Sequence, residues 1–320
     1  MKKFSFSFLL IITVCCARAQ TDPIFSHYMF NPAQYNPAWL GDVNTAFGAF
    51  QYRNQWTGFD TSFDGPGGAP NTQLMTLAIP MQSYLNAVGS NLILDTQGAE
   101  TTLKWQVSGA YNLRLKPGVL SFGIMPGVIS RTIRFDEFRF EDPSDPLNTG
   151  SNQTQISPDL AAGVFFKTFS GYFAGAAVDH ILQPRLINIE SSGIETRGKL
   201  DPVYYFHGGK SIQLNRDLDV TPSFIVRTDL NSYTVDVSGV AIYRDLMWAG
   251  LSYRRAEAAV LLIGYNFLED KTLQVGYSFD YVIRNQAAKQ PTSHEIFIRY
   301  NLPDLIIGGR KPVKTPRFSF

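Results

Sequence analysis

The sequence predicts an all-β chain that crosses a membrane as a closed, antiparallel barrel of about fourteen strands, with long extracellular loops and short periplasmic turns. Three observations predict it. A period of two persists over unusually long runs, tyrosines stand at the ends of the apolar faces, and an export signal is followed by no run of the roughly 20 apolar residues a membrane helix needs.

Residues 1–19 read as a signal peptide: Lys2 and Lys3, an apolar stretch from Phe4 to Ala17, then Ala17-Arg18-Ala19 as a small-x-small cleavage site, so that the mature chain starts near Gln20. Both cysteines, Cys15 and Cys16, lie inside it, and Val14 does not fit the small residue a lipoprotein needs there. The mature chain then carries no thiol, which excludes disulfides, Cys-rich zinc sites and Cys nucleophiles. A net charge of +1 with 17% charged residues gives no footing for nucleic acid.

Residues 20–44 follow as a periplasmic or plug segment. In DPIFSHYMFNPAQYNPAWLG (22–41) the prolines force extended or turn backbone, the asparagines favour turns, and the aromatics need a surface to cover them. Two surfaces are open to it, its own barrel lumen or rim and a periplasmic partner.

The barrel is expected over residues 45–302. Leu103, Trp105, Val107, Gly109, Tyr111, Leu113 and Leu115 alternate with Thr102, Lys104, Gln106, Ser108, Ala110, Asn112 and Arg114. The apolar face Tyr233, Val235, Val237, Gly239, Ala241, Tyr243 begins and ends in tyrosine. Ten such steps at about 3.3 Å, tilted about 40°, span roughly 25 Å, the height of the apolar band of an outer-membrane barrel. Soluble sandwiches also alternate, but their strands usually run about five or six residues.

The same template places strands at 45–54, 71–79, 87–96, 102–114, 119–132, 156–167, 171–181, 203–214, 218–229, 232–243, 246–255, 258–267, 271–281 and 293–302. The long links (55–70, 133–155, 182–202, 282–292) follow odd strands and the tight ones even strands, as expected of a barrel entered from the periplasm. That puts 136–150 outside the cell and both chain ends in the periplasm. Pro126, Pro158 and Pro222 fall inside strands, where a missing N–H breaks the ladder unless there is a bulge or a strand end. The strand at 258–267 is apolar on both faces. Lys104, Gln106, Arg114, Arg131, Lys210, Arg227 and Asp236 are expected to face the lumen. After the barrel, residues 303–320 form a basic periplasmic tail.

No metal, cofactor or catalytic site is expected. His27, His180, His207 and His294 are scattered without ligand spacing. Ser293-His294-Glu295 are neighbours on a strand, which sends successive side chains to opposite faces and prevents a triad. Asp142, Asp145 and Asn148 do not follow the calcium-loop pattern.

Asp22-Pro23-Ile24-Phe25-Ser26-His27-Tyr28-Met29-Phe30-Asn31-Pro32, Asn36-Pro37-Ala38 and Gly41 resemble the amino-terminal signature of the PorP/SprF membrane proteins of the type IX secretion system. Tyr52-Arg53-Asn54-Gln55-Trp56, Ala69-Pro70-Asn71-Thr72, Pro158-Asp159-Leu160 with Gly175 and His180, Trp248-Ala249-Gly250-Leu251-Ser252-Tyr253-Arg254, Ser293-His294-Glu295-Ile296 and Lys314-Thr315-Pro316-Arg317-Phe318 resemble its other motifs. Pro291-Thr292 stands where the family pattern has glycine, which puts the start of the last strand in doubt.

The resemblance implies a non-enzymatic outer-membrane component of that system in Bacteroidota. It would work with the periplasmic ring and other secretion components, and with a secreted surface protein, an adhesin in gliding species. Phe25, Tyr28, Phe30, Tyr35 and Trp39, with Arg310, Lys311, Lys314, Arg317 and Phe318 of the tail, are then candidate partner contacts. The alternative function is a diffusion or uptake channel for a small or apolar solute.

Overall fold

The computed structural model describes residues 22–59, 68–81, 84–135, 152–185, 189–191, 194–196, 198–268, 271–284 and 290–302. The chain forms a closed antiparallel barrel of 14 strands. The strands are β1 Ala46–Asn54, β2 Asn71–Pro80, β3 Ala87–Gln97, β4 Glu100–Leu115, β5 Gly118–Ile133, β6 Gln153–Thr168 and β7 Tyr172–Asp179. They continue as β8 Val203–Lys210, β9 Leu218–Thr228, β10 Tyr233–Tyr243, β11 Met247–Arg254, β12 Ala258–Phe267, β13 Leu273–Val282 and β14 Thr292–Leu302. Each pairs with its neighbour in sequence, and β1 pairs with β14, Phe50 opposite Ile298, to close the ring. Closure gives every strand a partner on both sides, which is what permits a sheet to stand in hydrocarbon.

Alternation sets the two faces. In β4 the side chains of Leu103, Trp105, Val107, Tyr111 and Leu113 are exposed on the outer wall, while Lys104, Gln106, Ser108 and Ala110 are buried inside. Most strand ends fall within two residues of expectation, and three departures have a visible form. β7 stops at Asp179 rather than 181, because His180 takes a left-handed turn (φ 56°) that carries its ring inward. β8 breaks at Ser211 and resumes over Ile212–Gln213. β6 begins at Gln153, ahead of the expected 156. Pro126 costs what a missing N–H should: the β4–β5 ladder runs Gln106 to Gly127 and resumes at Gly109 with Ile124, skipping the pairs between.

The long links gather at one rim and the tight turns at the other, which makes the first extracellular and the second periplasmic. A small hairpin, Ile189–Ser191 with Ile194–Thr196, belongs to the outer link between β7 and β8. The signal peptide, the 136–150 loop with Asp142, Asp145 and Asn148, and the 303–320 tail lie outside the described residues.

Residues 22–44 lie inside the barrel. Two 3-10 turns, Pro32–Gln34 and Pro37–Asp42, each begin with proline, whose fixed φ suits a first helical position and whose missing N–H bars a longer helix upstream. Asn36 caps the second turn by accepting a hydrogen bond from the Ala38 N–H at 3.0 Å. The wall is hollowed to receive them: a Cβ on Gly123 would collide with the Ala38 backbone, and one on Gly163 with the Asn36 side chain.

The direction of this segment corrects the expectation of a periplasmic amino end. Asp22 bonds to His180 and Tyr205, which flank the long outer link. Asp42 pairs with Lys167 and Gly41 with Asn112, both beside tight periplasmic turns. The segment therefore runs down the lumen from the outer mouth to the periplasmic rim, where β1 begins.

Candidate functional site

The inward positions near the outer ends of six strands carry charges that join in one chain of ion pairs. Arg227 of β9 donates to Asp236 of β10 (3.0 Å), which Arg254 of β11 also meets (3.1 Å). Arg254 reaches Asp280 of β13 (3.4 Å), Asp280 pairs with Arg53 of β1 (2.7 Å), and Arg53 with Glu295 of β14 (3.2 Å). Arg53, Arg254, Asp280 and Glu295 are all buried. Charges held this far from water persist only when paired and hydrogen-bonded on their remaining atoms.

The plug completes that pairing. The backbone N–H groups of Ser26 and His27 donate to the two oxygens of Glu295 at 2.7 and 3.0 Å, and His27 Nδ1 lies 2.7 Å from Oε1. The Ser26 hydroxyl donates to Asp280 (2.7 Å) and accepts from Arg53 (2.8 Å). Alternation sends Ser293 and Glu295 inward, while His294 faces out and meets the Tyr277 hydroxyl at 2.6 Å. The three therefore gather no triad.

A second cluster holds the outer end of the plug. His180 Nε2 lies 2.9 Å from Asp22 and Nδ1 2.8 Å from Asp159, so both ring nitrogens donate to carboxylates and the ring is an imidazolium. Burial and the nearby Lys104 pull its pKa down, but Asp22, Asp179 and Asp159 outweigh them and hold it up at about 10. Burial raises the Asp22 carboxyl, and His180 and Lys104 more than reverse this, leaving it well below the usual range. Asp22, Asp179 and His180 bring potential metal-ligand atoms within 4.8 Å of one another. The imidazolium has no lone pair to offer, and Lys104 already sits on Asp179, so the arrangement is an ion-paired latch rather than a ligand set.

The five aromatics singled out from the sequence meet inside the barrel. Phe25 packs with Leu74 and Ile93. Tyr28 reaches the hydroxyls of Ser238 and Ser223, and Tyr35 stacks on Tyr205 at 5.6 Å. Phe30 lies 4.3 Å from Trp248, centroid to centroid, and Trp39 meets Phe47 edge-on. Phe25, Tyr28 and Tyr35 are buried against the wall, so in this arrangement they present no face to a partner. Arg310, Lys311, Lys314, Arg317 and Phe318 lie outside the described residues.

Of the expected lumen residues, Lys104, Gln106, Arg227 and Asp236 are buried inside, Arg131 pairs with Glu100 at the outer mouth, and Arg114 lines the periplasmic mouth. Lys210 is a correction: it faces outward, 4.3 Å above the ring of Tyr172. Tyrosines occur on both faces of β8; the register turns Tyr204 outward and Tyr205 inward, where it stacks on Tyr35. The sequence reading did not single out Arg254 or Asp280 as site residues. Their signal was a charge on the polar face of an otherwise regular strand.

The family model described as type IX secretion system membrane protein PorP/SprF matches residues 17–300. Among solved structures, the chain is similar to the Ralstonia pickettii toluene transporter TbuX (TM-score 0.52, 12% identity, covering 87% of this chain and 94% of that one). It is similar also to the CymD monoaromatic hydrocarbon channel (TM-score 0.52, 11% identity, 85% and 91%) and the Pseudomonas putida toluene transporter TodX (TM-score 0.50, 11% identity, 85% and 93%). At such identities the likeness is one of fold. No curated protein matches the chain.

Proposed function

The chain belongs to the PorP/SprF family of type IX secretion system membrane proteins, and from that premise we propose that it serves export as a plugged, non-enzymatic barrel. In this reading it sits in the outer membrane and anchors or assists the export and surface attachment of secreted proteins, adhesins in gliding species. The observation that carries the reading is the lumen itself. Residues 22–44 fill it and complete its buried ion pairs, which favours an anchor over an open diffusion channel.

With Phe25, Tyr28 and Tyr35 turned into the barrel, contact with the periplasmic ring falls to the tail, through Arg310, Lys311, Lys314, Arg317 and Phe318. Deleting residues 311–320 tests this. The barrel should still insert in the outer membrane while export of its substrate falls, and unchanged export would remove the tail from the mechanism. In a planar bilayer the intact protein should be silent; steady conductance would favour the channel.

A further inference from the structure

At the outer mouth, between the plug and the wall, lies a cavity of about 240 Å³. Its apolar lining comes from Phe25, Tyr28 and Tyr35 of the plug and from Ile93, Ile129 and Ile225 of β3, β5 and β9, all buried, and charged side chains of plug and wall complete it. Its upper edge is formed by Gln97 and Arg185, which are exposed, and Gln155, which is half-buried, at the rim that carries the long links. The cavity thus faces the outside of the cell and ends on the plug.

Apart from Arg185 at the exposed edge, the charges around it are already committed. Asp22 is held by His180 and Tyr205, Lys104 by Asp179, Arg227 by Asp236, and Arg131 by Glu100. Asp95 accepts from Thr72 at 2.5 Å and Gln97 at 2.7 Å. A charged ligand would have to break one of these pairs in a poorly solvated site, at a cost its own contacts would have to exceed. An uncharged body need only displace water from apolar walls. The volume lies just below the ~300–1,000 Å³ of sites that take drug-sized ligands, which limits the occupant to about one ring.

We propose that this vestibule is a binding site for a small, uncharged molecule with an aromatic or short aliphatic body, taken from outside the cell and held between Phe25 of the plug and Ile93 and Ile129 of the wall. The proposal does not depend on the secretion role. An occupant touching both plug and wall binds the plugged state alone and so stabilises it.

The test uses the full mature chain, which has no thiol of its own. In an Ile129→Cys variant, and separately in Ile93→Cys, the rate of modification by a small neutral thiol reagent is measured with benzyl alcohol, benzoate or benzylamine present. Benzyl alcohol near twice its dissociation constant should slow modification by about threefold, and the two charged analogues at equal concentration should leave it unchanged. Phe122→Cys, on the outer wall, should react at the same rate with or without the alcohol. Equal protection by benzoate or benzylamine would overturn the ligand class. Failure of the alcohol to protect either variant, equal slowing at Phe122→Cys, or a thiol at 129 and 93 that does not react at all would overturn the site.

Discussion

Glu295 shows at the scale of one residue how the lumen and its plug depend on each other. Its carboxylate accepts from two plug N–H groups, from the His27 ring and from Arg53, with no exposure to water. Glu295→Gln keeps the shape but removes the charge that Arg53 and the plug require, and breaking one partner of a buried pair costs about 3–5 kcal/mol. The urea midpoint of the purified barrel should fall accordingly, while Arg244→Ala, which removes an exposed pair with Asp217, should leave it unchanged. An unaltered midpoint in Glu295→Gln would mean that the plug does not rely on this anchor.

His180 adds a pH dependence of definite sign. Its folded pKa is raised from 6.5 to about 10, so its contribution is full below pH 6.5 and is lost as pH rises through about 10. Asp22, whose pKa is depressed, acts oppositely: its contribution is present above pH 3.8 and is lost as pH falls. The difference in urea midpoint between wild type and His180→Gln should therefore be largest between pH 3.8 and 6.5 and shrink toward pH 11; a constant difference would show that the ring is not charged in the fold. Charges such as Lys104 and Asp236 could be assigned to the lumen from the period of two alone. Which carboxylate each one meets is decided by shear between strands far apart in sequence, and no local pattern records that.

At the scale of an element, the plug looks irregular in sequence because it is shaped by its container. Pro32 and Pro37 start its turns, but the wall decides where they lie, through small residues opposite bulky plug atoms. The two-sided apolar pattern of β12 has the same origin. Val260 and Leu262 face inward with Val240 and Trp248 to meet Met29 and Phe30 of the plug, so a strand that breaks the barrel pattern marks the site of docking. Gly123→Leu would force side-chain atoms into the backbone of Ala38 and should destabilise the protein by about 1–3 kcal/mol, as overpacking does. Gly239→Ala, with nothing within 4 Å of the new carbon, should not shift the thermal midpoint. Equal midpoints in the two variants would show that the turn at Pro37 does not press on the wall.

For the whole molecule, strand number, order and the sidedness of the links were legible in the sequence, because period two and turn length are local properties. The direction of the plug was not, because the contacts that set it, Asp22 with His180 and Asp42 with Lys167, lie more than a hundred residues apart in sequence. Outward direction has a topological consequence. β1 starts at the periplasmic rim, yet the chain before it begins at the outer mouth, so residues 22–44 traverse the lumen from one rim to the other. It also places Pro23 on the cell-surface side and Asn44, which is exposed at the opposite rim, on the periplasmic side. In a chain freed of Cys15 and Cys16, its two native thiols, single cysteines report each side without interference. On intact cells a membrane-impermeant maleimide should label Pro23→Cys and spare Asn44→Cys, which should react once the outer membrane is permeabilised. The reverse pattern would place the long links in the periplasm. Labelling of both only after permeabilisation would mean that the amino end is not presented at the outer mouth, and that the Asp22–His180 latch is not the resting state of the protein in the membrane.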